Sequence, residues 1–192
     1  PRLYLSEKRI KEINDNLFAD ENKYAHEMYM KLSDMECDGF VYDHTSEASL
    51  SHFRIIDSDI HTIIQAKAFR YALTKEEKYG YEAVAATMAY LKTFDLSKMS
   101  DQIKIYTAQA EMEMVACVYD WCYDLLREDD KRHIAIGLTD KFRNCLDWGS
   151  EFPPKNVSVM VSHMLVSIWY AIGIALYDEY PEIYNHIAEM LY

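Results

Sequence analysis

Glycine and proline are scarce in this chain: 192 residues hold five Gly and four Pro. So few turn residues exclude a many-stranded sandwich and point to long, uninterrupted elements. Clusters of basic residues are missing as well. Lys and Arg total 20 against 32 Asp and Glu, a net charge of −12, and the cations are scattered. Nucleic acid and anionic membrane surfaces both demand grouped Lys and Arg, so neither is expected as a partner. Four cysteines occur, Cys37, Cys117, Cys122 and Cys145, with no CxxC pair and no zinc spacing. Cys117 and Cys122 flank Trp121 in an apolar stretch and read as free, buried packing residues. HExxH, Walker, GxGxxG and GxSxG patterns are absent, so no metal and no cofactor are expected.

What is present is a grammar of helices. Residues 59–73, "DIHTIIQAKAFRYAL", place Ile60, Ile63, Ile64, Ala68 and Tyr71 on one stripe of an amphipathic helix. A charged turn, "TKEEKYG", leads to a second apolar-striped stretch, "YEAVAATMAYLKTF". The pattern returns as "QAEMEMVACVYDWCYDLL", "REDDKRH" and "IAIGLTDKFRNCL", and again as "SVMVSHMLVSIWYAIGIAL", "YDEYPEI" and "YNHIAEML". Aligned on Leu73, Leu125 and Leu176, the turns fall 52 and 51 residues apart. Self-similarity at a fixed period marks stacked helix pairs that cannot bury their apolar faces alone. "LSEKRIKEIND" near the start reads as another helix with Ser6 as its N-cap. Residues 33–54 are polar and irregular, a long loop bearing His44, His52 and Arg54. The expectation is an all-α fold of helical hairpins, one helical domain over residues 1–192.

Val157 to Leu176 contain no Asp, Glu, Lys or Arg. As a helix this run would be about 30 Å long, enough to cross a bilayer. It carries Ser158, Ser162, His163 and Ser167, however, and fills the first-helix position of the third hairpin. A helix apolar on all sides fits the inner layer of a helical array. Burial is the reading adopted, with Trp121 and Trp169 in the core.

"PRLYLSEKRIKEIN", "RYALTKEEKYGYEAV", "VYDWCYDLLREDDKRHI" and "NVSVMVSHMLVSIWYAIGIALYDEYPEIY" together resemble the N-terminal helical region of heparinase II/III-like proteins, and alginate and heparin lyases of this type are similar. The resemblance runs from Pro1 to about Ile187. It implies part of an incomplete (α/α) toroid, followed in the whole protein by a large antiparallel β-sheet domain that is missing here. It also implies a periplasmic or secreted enzyme whose partner is an anionic polysaccharide.

Lyases of this class break uronic-acid glycans by β-elimination. An Asn or His neutralises the uronate carboxylate so that the enolate-like intermediate is tolerable. A Tyr or His removes the C5 proton, and a Tyr can protonate the leaving oxygen. Asn156, His163 and Tyr170, seven residues apart, fall on one helical stripe and are the catalytic candidates. Asn156 also suits a helix N-cap after "FPPK", His163 a core histidine, and Tyr170 one of many packing tyrosines. Trp148, in "LDWGSEFPP", could stack on a sugar ring, and Arg143 and Lys155 (with Lys141) could supply a local positive patch. Two other classes stay open. A glycoside hydrolase would need two carboxylates about the scissile bond, and Glu113, Asp120 and Asp124 are available. A helical-repeat scaffold would bind a protein and no glycan.

Overall fold

The computed structural model describes residues 3–37, 60–93, 101–145, 167 and 169–191, with backbone alone at 101–110, 140–145, 186, 187, 190 and 191. Among them the fold is all-α and contains no strand. α1 (Glu7–Asn16) and α2 (Lys23–Asp34) are joined by a 3₁₀ turn at Asp20–Asn22. Then follow α3 (Ile60–Thr74), α4 (Glu77–Thr93), α5 (Asp101–Trp121), α6 (Glu128–Cys145), α7 (169–175) and α8 (Pro181–Leu191). α3 lies at the centre and packs on α2, α4 and α5, while α5 and α4 both pack on α6.

The helix ends follow from local chemistry. Ser6 caps α1 by accepting from the Arg9 backbone N–H at 3.2 Å. The stretches expected as charged turns are mostly helix beginnings. Between α3 and α4 only Lys75 and Glu76 interrupt the helices, Lys75 in the left-handed region at φ 60°. Thr74 Oγ1 accepts from the Glu76 N–H at 3.2 Å, and Glu77 sits at the positive end of α4. At α6 the Asp130 carboxylate reaches back to the Arg127 N–H at 3.3 Å, half of a capping box, with Glu128 and Asp129 in the same first turn. The chain turns there through a 3₁₀ segment at Tyr123–Leu125. α8 opens on Pro181, whose missing N–H costs nothing at a first helical position. The loop expected over 33–54 begins later, since α2 runs through Asp34 and Ser33 is buried; positions 38–54 lie outside the described residues.

The core joins Ile64, Ala68 and Tyr71 of α3, Ala83 and Tyr90 of α4, and Met114, Val115 and Tyr119 of α5. Ile134 and Leu138 of α6 and Ile172 and Leu176 at the end of the uncharged run complete it. Trp121 and Trp169 are core residues, as expected. Cys117 and Cys122 are buried free thiols; burial pushes Cys117 up to about 12, so neither sulfur is primed as a nucleophile. Gly80 has no room for a side chain: a Cβ there would stand 2.3 Å from Leu125 Cδ1 and 2.9 Å from Tyr71 Cγ. No helix among the described residues is long and apolar enough to cross a membrane. Of the uncharged run, 169–176 form α7 and its end, and 157–166 and 168 lie outside the described residues.

Two of the scattered cations are buried. Lys67 is 2% exposed and Arg70 8%. Lys67 Nζ donates to the Ser33 carbonyl at 2.8 Å and to Glu82 at 2.6 Å. Arg70 bonds Asp34 at 2.8 Å and Ser33 Oγ at 3.1 Å, reaches Glu76 at 3.3 Å, and lies over the Tyr79 ring at 3.8 Å. Tyr79 donates to the same Asp34 at 2.8 Å. Two cations thus take up the polar end of α2 and tie it to α3 and α4. The Tyr79 hydrogen bond, followed by Arg70, holds the Asp34 carboxyl below its ordinary value against the effect of burial.

Candidate functional site

Of the residues assigned by sequence to the lyase site, Tyr170 is the one whose side chain is described. It is half-buried against the core, with its ring edge-on to Tyr184 at 6.1 Å. Arg143 lies in the last turn of α6, where the backbone alone is described. Trp148, Lys155, Asn156 and His163, and His44, His52 and Arg54, lie outside the described residues. No group of acidic, His or Cys side chains suited to a metal occurs among those described.

The three carboxylates available to a hydrolase each have a structural bond. Asp120, 8% exposed, accepts from the Leu3 N–H at 2.9 Å. Its neighbour Trp121 donates Nε1–H to the Leu3 carbonyl at 2.8 Å. Both backbone groups of Leu3 are therefore held by consecutive residues of α5. Leu5 N–H bonds the Leu3 carbonyl at 2.8 Å around Tyr4, at φ 62°, a strained γ-turn that puts Leu3 and Leu5 into the core and Tyr4 outside. Glu113 accepts from the Tyr4 hydroxyl at 2.9 Å. Asp124 accepts from Tyr71 at 3.3 Å and Lys75 at 3.2 Å.

Among the described residues a concave site appears that the sequence pattern did not mark. A groove of about 460 Å³ lies where α1, α2 and the 3₁₀ turn meet α3. Its walls are Ile13, Leu17, Ala25 and Phe69; its polar lining is Arg9, Glu12, Asn16, Asn22, His26 and Tyr29. An aromatic series runs down it. Phe18, 79% exposed, stands edge-on to His26 at 4.8 Å. His26 meets Tyr29 at 6.4 Å, Tyr29 is edge-on to Phe69 at 5.4 Å, and Phe69 meets core Trp121 at 5.7 Å. The floor is thereby fixed to the core.

In the lining one base faces one acid, Arg9 pairing with Glu12 at 3.5 Å, while Lys8, outside the lining, approaches the same carboxylate at 3.8 Å. Asn16 donates its amide to the Glu12 carbonyl at 2.8 Å, and Asn22 donates to the Asn16 carbonyl at 2.8 Å. Both donors close the carbonyl end of α1, and a carbonyl partner fixes each amide with its oxygen as the remaining acceptor. The Tyr29 hydroxyl is buried and has no hydrogen-bond partner. Burial pushes its phenol well above the ordinary value, so it remains a donor at all ordinary pH. The sequence signal that could have located the site is the polar-aromatic mixture "NLFADENKYAHEMY" between two short helices. Comparison with known protein families and with curated proteins finds no match for the chain.

Proposed function

We propose that this chain is the helical part of a polysaccharide lyase, its hairpins forming part of an incomplete (α/α) toroid. It would act on uronic-acid glycans by β-elimination together with a β-sheet domain of the same protein. The observation that carries this reading is the clamp on Leu3. "PRLY" and "YDW", pieces of the resemblance that are specific in combination and weak singly, bond to each other across 117 residues of sequence through Asp120 and Trp121. Segments that share a family signature for a structural reason would be expected to meet in this way.

The toroid has support of its own. Tyr71 and Tyr123 each stand two residues before a turn leucine of the repeat. Each carries a lysine over its ring, Lys75 at 4.7 Å and Lys131 at 3.9 Å. Each donates its hydroxyl to an acid in the next turn, Tyr71 to Asp124 and Tyr123 to Glu179. The tyrosines share a register against the turn leucines, while each turn supplies its own lysine and acid at other positions; a tyrosine tied to the next turn at both junctions supports stacked hairpins.

In this reading Asn156 donates to the substrate carboxylate, and His163 and Tyr170 carry the proton from C5 and to the leaving oxygen. Arg143, Lys155 and Trp148 hold the glycan beside them. The C4–O bond breaks as the C4=C5 double bond forms, and no water is consumed. The hydrolase alternative is weaker, because Glu113, Asp120 and Asp124 already accept the structural bonds described above.

The test is the absorbance of unsaturated uronate when the full-length gene product is given uronate polysaccharides. Asn156→Ala, His163→Ala and Tyr170→Phe should each lower kcat by about a hundredfold or more. Unchanged rates in all three variants would remove these roles. Absence of any unsaturated product would leave the scaffold reading in place of the enzyme.

A further inference from the structure

We infer that the α1–α2 groove is a second glycan subsite, built for an uncharged sugar unit of the polymer. The inference rests on the glycan reading above but on none of its catalytic residues. About 460 Å³ falls in the range of small-ligand sites. The polar groups left over are of the kind a pyranose hydroxyl satisfies: amide oxygens of Asn16 and Asn22 that can accept, and the Tyr29 hydroxyl that can donate. A buried hydroxyl without a partner is a cost in the empty protein, and a ligand oxygen would remove it. The apolar face of a sugar has its counterpart in Ile13, Leu17 and Phe69 on the walls and in the exposed Phe18 ring beside His26.

Charge decides between a neutral unit and a uronate. The cation in the lining, Arg9, is paired with Glu12 at 3.5 Å, so a carboxylate entering here would meet an acid as well as a base. A uronate would have to displace that partner, whereas a neutral hexose or N-acetylhexosamine need not. Because Tyr29 is held edge-on by Phe69, which leans on Trp121, the donor is positioned before ligand arrives.

The experiment is calorimetric titration of the full chain with four neutral disaccharides, maltose, cellobiose, lactose and diacetylchitobiose, and with digalacturonate. At least one neutral sugar should bind at least tenfold more tightly than digalacturonate. Tyr29→Phe should weaken it by about fivefold to tenfold. Phe18→Ala, a surface change that leaves the fold intact, should weaken it by a similar factor. The inference is overturned if no neutral sugar binds, if digalacturonate binds as well, or if neither variant alters the affinity. Neutral-sugar binding by a protein that yields no unsaturated product would keep the subsite and refute the lyase. Lyase activity with an unresponsive groove would do the reverse.

Discussion

The two ends of α2 are built on opposite principles. At its C-terminal end, Lys67 and Arg70 are buried and bond a carbonyl, a hydroxyl and carboxylates of α2, α4 and the link before α4, where Glu76 stands. At its N-terminal end, α1 has no buried residue, Phe18 and Tyr24 are 79% and 75% exposed, and the Tyr29 hydroxyl is buried without a partner. Buried polar groups that are fully satisfied hold a fold together, while one left over at a groove is a cost that a bound partner removes. The first end is architecture; the second is the place to look for recognition.

Breaking the satisfied end should have the largest effect. Lys67→Ala leaves the Ser33 carbonyl and Glu82 without their buried cation and should cost about 3 kcal/mol, read from urea denaturation. Gly80→Ala comes next. Leu125 can swing aside but the Tyr71 ring cannot, so overpacking should cost about 2 kcal/mol by the same measurement. The clasps between turns rank third: Tyr71→Phe and Tyr123→Phe should each lose about 1 kcal/mol. If only one of them matters, the two turns are not equivalent and the repeat fails.

The clasps also carry a pH signature. Burial acts to raise the Asp124 carboxyl, but hydrogen bonds led by Lys75 outweigh it and hold the group below its ordinary value. Asp124 therefore contributes stability that is present above the unfolded carboxylate pKa of about 4 and lost as pH falls through the lower folded value. Asp124→Asn should flatten that acid limb in thermal melts taken from pH 5 downward. At the open end the sign reverses. Tyr29→Phe removes an unpartnered hydroxyl and should stabilise the unliganded protein by about 1 kcal/mol, the one substitution here expected to raise Tm.

These regions also differ in how much of them could be read in advance. The helix starting at Ser6 and the turns near Leu73, Leu125 and Leu176 are legible because caps and hydrophobic period act over a few residues. Burial of Trp121 and Trp169 follows from the apolar stretches around them. Burial of Lys67 and Arg70 is illegible, since Ser33, Asp34 and Glu82 stand 15 to 37 residues away in sequence. The Leu3 clamp reaches over 117 residues and the groove combines three helices, so neither leaves a local pattern. Charged stretches were legible as breaks but misplaced: acids at Glu77 and Glu128–Asp130 start helices, where the dipole favours them.

The proposal that most needs a direct test is that the glycan is cleaved by elimination, without water. The full-length gene product should be incubated briefly with a uronate polysaccharide in water enriched in heavy oxygen, and the new chain ends weighed by mass spectrometry. The account predicts ends lighter by one water, carrying the double bond, with no heavy oxygen gained at cleavage. One heavy oxygen per broken linkage, with no unsaturated end, would show hydrolysis and contradict it.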